Sequence, residues 1–585
     1  MAKHRIRLSA GTLALLLAGA ASLALASCAR FPYPSSSYED HVAPAEPNVL
    51  GGAAAPTALP APGATPASES APAPSAAPAP SGVPAATAPP VAPAPAAAAP
   101  QVPAAAPVEM RVSDAILEAL GNNETFRVER FGPSIASTFV DELRGAFDPV
   151  LNANVSASDT TTKFRTGAAP SKIVSSTVKA IAAGVGLTQF LPTGTTVALT
   201  ATGGKTWTDP GGPLGSSGVG LTVTQALLQG FGIDVNLATL RQARIDIETS
   251  QYLLRGFAEA LVAQVEESYW AYLLAQREID IFTQSLKLAQ DQLAQTQEMI
   301  NVGRLAKTEI VSAQAVVASR QQSLIGGRTA LEPARLNMIR LVNPQGGQPW
   351  GRQIVLKDQP VMTDDELGDV EQHVALALRM RPDLNEARLQ TQRGDLDIVK
   401  TKNGLLPQLN AFLTLGKSGY ASSFGGSLEE LPESAGKDVA VGLNFQVPIG
   451  DRAPIARHSR AVFNLNQAKA AVDNMAQLVQ VDVRTAYVTV ANAREQVTAA
   501  TATRKLQEEN LKVEQEKLRV GRSTPLLVAQ VQDLLLASQI SEVQAIIAHM
   551  VALTELYRLE GSLLVRRGIA APGAAPVDVS TPRQW

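Results

Sequence analysis

One pattern occurs twice in the chain, and this repeat constrains the fold more than any other feature. The tripeptide Val-Gly-Arg ends a very long stretch of helical periodicity at residues 302–304 and again at 520–522. The two glycines lie 218 positions apart, which is 521 minus 303, and Tyr269 and Tyr487 upstream share that offset. A long internal repeat indicates two copies of one supersecondary unit. We therefore expect two helical hairpins, each of which reverses at a glycine turn.

The arms of both hairpins are predicted from the spacing of apolar residues. The first hairpin is expected to pair a helix at about 235–302 with a shorter one at about 308–341, and the second to pair 454–520 with 526–564. From Ile279 to Ile300 apolar and small residues recur at alternating steps of three and four, as in a coiled-coil seam. At ~1.5 Å per residue, each long arm is roughly 100 Å in length.

Between the helical regions the period changes to two, which predicts strands with one apolar and one polar face. The predicted strands cover residues 151–158, 184–190, 195–200, 219–225, 408–415 and 439–447. Both a transmembrane barrel strand and a soluble half-buried strand show this alternation. The barrel is favoured because the helices are too long to cover a compact sheet. Four to six strands are too few to enclose a water-filled channel, so several copies are expected to share one barrel.

The N-terminal 27 residues are predicted to be a lipoprotein signal peptide. A basic start precedes a short apolar run at 13–25, which ends in Leu-Ala-Ser before Cys28. This resembles the bacterial lipobox, which implies cleavage before Cys28 and its acylation; an ordinary secretory signal is the alternative. Ala29 after the cysteine favours the outer membrane. Residues 28–108 are then a lipid-anchored, Ala/Pro-rich linker that is too poor in bulky apolar residues to fold.

Composition argues against several classes of function. The formal net charge of −3 gives no electrostatic basis for binding nucleic acid. The five histidines do not have metal-site spacing, and Cys28 is the single cysteine, so no metal, cofactor or intrachain disulfide is expected. Gly184 and Gly186 lack the spacing of a phosphate loop. No nucleophile and base are suitably placed, so we do not expect an enzyme.

Five segments carry a resemblance to a known family. They read Arg-Pro-Asp-Leu-Asn-Glu-Ala-Arg at 381–388, Lys-Asn-Gly-Leu-Leu-Pro-Gln-Leu at 402–409, Val-Gly-Leu-Asn-Phe-Gln-Val-Pro-Ile-Gly-Asp-Arg at 441–452, Val-Gly-Arg-Leu-Ala-Lys-Thr-Glu-Ile at 302–310, and Gln-Ala-Leu-Leu-Gln-Gly-Phe-Gly at 225–232. In order, spacing and duplication the chain resembles the TolC family of outer-membrane factors over nearly all of residues 109–566.

The resemblance implies a mixed α/β membrane protein, mainly α, with two structural repeats. A homotrimer would share a transmembrane β-barrel, typically of twelve strands, continuous with an α-helical tunnel in the periplasm. Its expected role is a passive exit duct of a tripartite efflux or type I secretion system. The expected partners are a periplasmic adaptor, an inner-membrane pump and outer-membrane lipid. The alternative is a structural coiled-coil lipoprotein that tethers the outer membrane to the cell wall.

The same resemblance sets the domains and the site residues. The first repeat is expected at 109–345, the connector and second repeat at 346–566, and a disordered tail at 567–585, with 343–363 and the terminal segments forming an equatorial region. The hairpin tips are expected to contact the adaptor through Val302, Gly303, Arg304, Lys307, Val520, Gly521 and Arg522.

Two departures from the family pattern stand out. Strand-like sequence between Ser158 and Val219 is compatible with a larger hairpin, an external loop or added barrel strands, so the sequence does not fix the count at twelve. The second tip, 524–530, carries neutral residues where acidic ones narrow the pore of well-known members, so we do not expect an acidic gate there.

Overall fold

The computed structural model describes residues 108–167, 172–344, 349–360, 367–573 and 575–577. The predicted signal peptide, Cys28 and nearly all of the Ala/Pro-rich linker lie outside the described residues. The described chain is mainly helical and contains one large antiparallel sheet and one small parallel pair of strands.

The eight strands lie in two sheets. In chain order they are β1 (Val108–Met110), β2 (Val150–Thr166), β3 (Lys172–Leu191), β4 (Thr195–Asp209), β5 (Gly212–Ala226), β6 (Ile354–Leu356), β7 (Gln408–Ala421) and β8 (Lys437–Gln446). The large sheet has the order β2-β3-β4-β5-β7-β8 with every neighbouring pair antiparallel. Strands β3 and β4 are much longer than the predicted segments, because small residues such as alanine and threonine continue the strand where clear alternation fades.

Twelve helices are described. They are α1 (Val112–Asn122), α2 (Glu124–Glu129), α3 (Phe131–Arg144), α4 (Ile233–Asn236), α5 (Ala238–Asn301), α6 (Glu309–Val342), α7 (Val370–Met380), α8 (Pro382–Asn403), α9 (Phe424–Glu430), α10 (Arg452–Arg519), α11 (Pro525–Leu559) and α12 (Leu563–Arg566). The long arms α5 and α10 have 64 and 68 residues, close to the predicted lengths. Among the described helices, α11 alone is apolar and long enough to cross a membrane, with a mean hydropathy of 1.4, and it packs along α5 and α10.

One predicted helix is in fact two. Apolar spacing in the sequence predicts one continuous helix from about 364 to 403, but the described part of this region divides into α7 and α8. Arg381 has an extended backbone with ψ of 124°, and Pro382 is the first residue of α8. A residue before proline avoids the helical region, and proline is favoured at a helix start, so the break lies where the sequence places Arg-Pro.

The main hydrophobic core surrounds the middle of α5. Strand β1 pairs in parallel with β6 of the connector, and both pack there with α1. The hydroxyl of Tyr269 donates to Met110 O (3.2 Å), and that of Tyr272 donates to Ile354 O (3.2 Å). The terminal segment and the connector, the two parts expected to form an equatorial region, thus meet at the middle of the long helix.

The tail differs from the expectation of disorder from residue 567 onward. Among its described residues Ile569 and Val577 are buried. The Val577 N–H donates to Asn385 Oδ1 (3.0 Å), and Tyr252 hydrogen-bonds Ala575 O. The described tail residues, up to 577, therefore contact both α5 and α8. The tail's Ala/Pro/Gly composition gave no periodic signal, since the segment is held by single apolar residues and backbone hydrogen bonds.

Candidate channel wall and helical tips

Both hairpin tips have the same backbone geometry. Gly303 and Gly521 adopt φ of 78° and 74°. The N–H of Arg304 donates to Met299 O, and the N–H of Arg522 donates to Lys517 O, each at 2.8 Å. These bonds, with those from each glycine to the residue three before it, form a Schellman motif at the end of α5 and of α10. The predicted glycine turns are confirmed, and the repeat extends to individual hydrogen bonds.

The tips present an exposed apolar residue beside basic ones. Val302 and Val520 are each 60% exposed, and each precedes the glycine of its turn. Arg304, Lys307 and Arg522 are exposed and form no ion pair with any residue that the structure describes. Both tips thus combine an exposed apolar side chain with positive charge that no described residue pairs.

The second tip has a polar brace that sequence analysis missed. The carboxylate of Glu514 accepts from Lys517 Nζ (2.8 Å) and bonds to the Ser523 hydroxyl across the turn. These hydrogen bonds, with that of Lys517 the stronger, lower the pKa of Glu514. The position 218 residues earlier is Thr296, so the first tip has no such carboxylate. Comparing the two repeats residue by residue would have revealed this difference.

The large sheet has one apolar and one polar face, as predicted. Odd-numbered residues stay on one face across all six strands: Leu151 lies opposite Leu187, which lies opposite Leu199. That row continues through Leu221, Leu415 and Val439. The even-numbered face carries asparagine and threonine; Thr222 and Thr414 hydrogen-bond across it (3.1 Å). An apolar outer face with a polar inner face is what a barrel strand in lipid requires.

The apolar face of the sheet is uncovered over most of its area. Val155 on β2 is 80% exposed and Val441 on β8 is 77% exposed. Contiguous apolar surface on this scale is rare on soluble monomers and marks contact with lipid or protein. Near the turns between strands, α9 folds back over this face, where the hydroxyl of buried Ser217 donates to Ser427 O (2.7 Å).

Among the described residues, the wall ends on each side in an edge that no other element covers. Near the sheet the helices pack in the order α3-α5-α8-α10, and near the tips in the order α6-α5-α11-α10. The sheet likewise ends in β2 and β8. Elements of the first repeat therefore form one edge at every level, and α10 with β8 forms the other. These edges could not be predicted from the sequence, because the repeat shows which elements belong to each hairpin but not which of them become neighbours.

Exposed apolar residues run along the helices of both edges. On α10 five of the exposed apolar residues are spaced 18, 7, 18 and 7 residues apart, close to whole numbers of helical turns, and so share one face. These five are Phe463, Val481, Val488, Leu506 and Val513. The opposite edge exposes Ile135 and Phe139 on α3, and Val311 and Ile325 on α6. Both edges are therefore suited to bury apolar surface against another chain.

The family model for outer membrane efflux proteins matches residues 115–343 and 374–562. These two segments cover both helical hairpins and the whole large sheet. No curated protein sequence gives a significant match.

Three solved structures of outer-membrane channels illustrate the likeness in fold. OprN is 18% identical, with 77% of this chain and 90% of that chain covered and a TM-score of 0.55. CmeC of Campylobacter jejuni is 14% identical (77% and 86% covered, TM-score 0.55), and VceC of Vibrio cholerae is 14% identical (77% and 96% covered, TM-score 0.55). With a family model that covers most of the chain and a fold shared with these channels, the protein belongs to the outer membrane efflux protein family.

Proposed function

We propose that the chain is one third of a homotrimeric duct that spans the outer membrane and extends into the periplasm as a helical tunnel. The observation that carries this proposal is the pair of unlike edges. When two different edges of a subunit meet through a rotation that closes, copies form a ring. Here one rotation would pair β2 with β8 and bring α3 and α6 against the exposed stripe of α10.

The tips then form the periplasmic end of the duct. The two turns lie at the ends of α5 and α10 farthest from the sheet, and a trimer presents six of them. Each offers an exposed valine and an arginine, which suits an adaptor surface that is apolar and acidic. We propose that this surface recruits a periplasmic adaptor and, through it, an inner-membrane pump. The duct itself is passive and serves efflux or type I secretion.

Cys28 is proposed as the acylated N-terminal residue of the mature chain. The support is the lipobox-like sequence before it. Metabolic labelling with a palmitate analogue tests this proposal: the wild-type protein is expected to be labelled and Cys28→Ser is not. Labelling of Cys28→Ser would contradict it.

Deletion of residues 303–307 tests the role of the tips. In cells that depend on this channel for export, the deletion is expected to abolish export and co-purification of the adaptor while detergent-extracted protein stays trimeric. A milder variant reverses charge only, through Arg304→Glu with Arg522→Glu, and is expected to reduce export at least tenfold. The matched control is Arg519→Glu, three residues before Arg522 at the end of α10, where the arginine already pairs with Glu516 (2.7 Å). Unchanged export by a stable deletion trimer would overturn the docking role.

A further inference from the structure

The first repeat has two more strands than the second. Residues 149–153 read Pro-Val-Leu-Asn-Ala at the start of β2, and 407–411 read Pro-Gln-Leu-Asn-Ala at the start of β7. Val-Gly-Leu likewise begins both 219–221 in β5 and 441–443 in β8. Strand β2 therefore corresponds to β7 and β5 to β8. The hairpin β3–β4 has no counterpart in the second repeat and is an insertion in the sheet.

The inserted hairpin is built into the wall rather than lying on it. It pairs along its length with β2 on one side and β5 on the other. Its 192–194 turn fits into the corner between β5 and α4. There Asn236 Nδ2 donates to Pro192 O (3.0 Å), the Gly232 N–H donates to Thr193 O (3.3 Å), and the Ala226 N–H donates to Gly194 O (3.0 Å).

The enlarged sheet still has edges that can join another copy. Strand β2 runs away from the helices and β8 runs towards them. Pairing β2 with β8 of a second copy would therefore be antiparallel, like every other pair in the sheet. Every residue of β2 is exposed, and so is every residue of β8 except Gly442, which is half-buried. Because the apolar face of both strands is the odd-numbered one, the joined sheet would keep a continuous lipid face and a continuous polar face.

The width of the sheet matches the width of the helical layer that follows it. Strands ~4.8 Å apart and tilted by ~40° each occupy about 6 Å of circumference, so six strands span ~38 Å and four span ~25 Å. The four helices next to the sheet, at 8–10 Å between axes, span roughly 32–40 Å. Six strands therefore match the width of this helical layer more closely than four strands do.

We propose that the β3–β4 hairpin widens the shared barrel to eighteen strands, so that bulky solutes leave the helical tunnel without meeting a narrower exit. This inference rests on the trimer proposed above. Eighteen strands give a backbone diameter of ~36 Å, and twelve give ~24 Å. Porins of sixteen to eighteen strands hold an aqueous channel. The size of the solutes that can pass is then limited at the tips and not in the barrel.

Cryo-electron microscopy of the full-length protein in nanodiscs tests the strand count. The wild type is expected to show a threefold ring of eighteen strands. A matched variant replaces residues 167–211 with Asn-Gly, which joins β2 to β5 as a plain hairpin, and is expected to show twelve. A wild-type ring of twelve strands, with β2 and β3 outside it, would overturn the inference while leaving the duct intact. A particle without threefold symmetry would remove both the trimer and the inference.

Cysteine cross-linking gives a second test that needs no image. With Cys28 replaced by serine, Ser156→Cys in β2 is paired in turn with Ala440→Cys, Gly442→Cys and Asn444→Cys in β8. Oxidation is expected to give covalent trimers for at least one pair, as strands in register bring β-carbons within bonding range. The alternative, in which β4 and not β2 pairs with β8 of the next copy, is tested by combining Thr200→Cys in β4 with each of the same three β8 variants. Covalent trimers from β4 and not from β2 would show that the barrel closes without the β2–β3 strands and would overturn the inference.

Discussion

Arg567 holds the buried carboxylate of Glu266 through two hydrogen bonds, 2.5 Å from Nε and 2.6 Å from Nη2. Glu266 lies on α5 and is 1% exposed, and the hydroxyl of Thr554 on α11 donates to the same carboxylate (2.7 Å). The residue after α12 thus ties the C-terminal segment to both hairpins. A buried carboxylate is tolerated only where its charge and lone pairs are matched.

Replacing Arg567 is expected to destabilise the subunit strongly. Arg567→Ala leaves the Glu266 carboxylate buried without a cation. Removal of one partner of a buried ion pair lowers the free energy of unfolding by about 3 kcal/mol. Arg567→Lys should recover part of this loss, and Arg567→Ala with Glu266→Gln should be less destabilised than the single alanine variant. Thermal unfolding of detergent-extracted protein measures the differences. Arg519→Ala, from an exposed pair, is the control and should cost under ~1 kcal/mol; an equal loss in both would contradict the role of burial.

A second buried carboxylate should make stability depend on pH. Glu259 accepts from Arg255 Nε (3.1 Å), and Arg255 also donates to Gly561 O (2.9 Å) and Gly573 O (3.1 Å). Burial raises the pKa of Glu259 to about 7, and Arg255 only partly offsets that rise. The folded state therefore holds a proton between pH ~4.5 and ~7 that the unfolded state releases.

It follows that the wild type loses stability as pH rises through this window, by about 3 kcal/mol in total. Glu259→Gln keeps an acceptor for Arg255 and is expected to remove most of this dependence of stability on pH. The stability of the variant relative to wild type should therefore rise from pH 5 to pH 8. Melting temperatures at pH 5, 6, 7 and 8 measure the trend. Glu516→Gln on the exposed end of α10 controls for loss of one negative charge. Parallel curves for wild type and Glu259→Gln would contradict the prediction.

The hairpins and the large sheet were predictable because each rests on a long periodic signal. Both glycine turns and both long arms follow from a repeat that recurs over 218 residues, 303 to 521. The break at Arg381–Pro382 was missed although proline marks it, because apolar spacing continues across it. The ordered tail was missed because single residues such as Val577 hold it, and isolated contacts leave no period in a sequence.

For the candidate site, the tips and the two faces of the sheet could be predicted from the sequence, but the two edges of the wall could not. The turn residues are adjacent in the chain, so their chemistry can be read directly. The two edges depend on which helices become neighbours, and α3 and α10 are separated by some three hundred positions. The anchoring of the inserted hairpin depends likewise on Asn236 meeting Pro192 across the sheet-to-helix corner. Such contacts are set by tertiary packing, which overrides local preference.

A side chain at position 303 should destabilise the turn, although there is space for it. No atom lies within 4 Å of a β-carbon placed there, so the cost arises from φ of 78° alone. Gly303→Ala is expected to weaken the turn by about 1–2 kcal/mol, the penalty of a left-handed backbone for an L-residue. Hydrogen–deuterium exchange at the Arg304 amide, which donates to Met299 O, should accelerate about tenfold.

Gly326 provides a control with the opposite sign. It lies within α6, also with no atom within 4 Å of an added β-carbon, but with ordinary helical geometry. Gly326→Ala is expected to stabilise the helix by about 1 kcal/mol, since alanine is the better helix former. If Gly303→Ala and Gly326→Ala change hydrogen–deuterium exchange equally, then a side chain at position 303 causes no backbone strain and the prediction is wrong.

The turn of the inserted hairpin contains a glycine that combines a left-handed backbone with a close backbone neighbour. Gly194 has φ of 87°, and a β-carbon there would lie 2.3 Å from Gly230 O, a backbone atom that cannot move aside cheaply. Gly194→Ala is therefore expected to displace the 192–194 turn from its corner and to lower the melting temperature of the assembled protein. Gly212 has φ of 96°, but no neighbouring atom would lie within 4 Å of an added β-carbon. Gly212→Ala therefore has the backbone penalty alone and should lower the melting temperature less. Because the hydrogen bond from Asn236 to Pro192 O is lost with the displaced turn, Asn236→Ala should add little to Gly194→Ala. Full additivity of these two variants in thermal unfolding would show that the turn keeps its place.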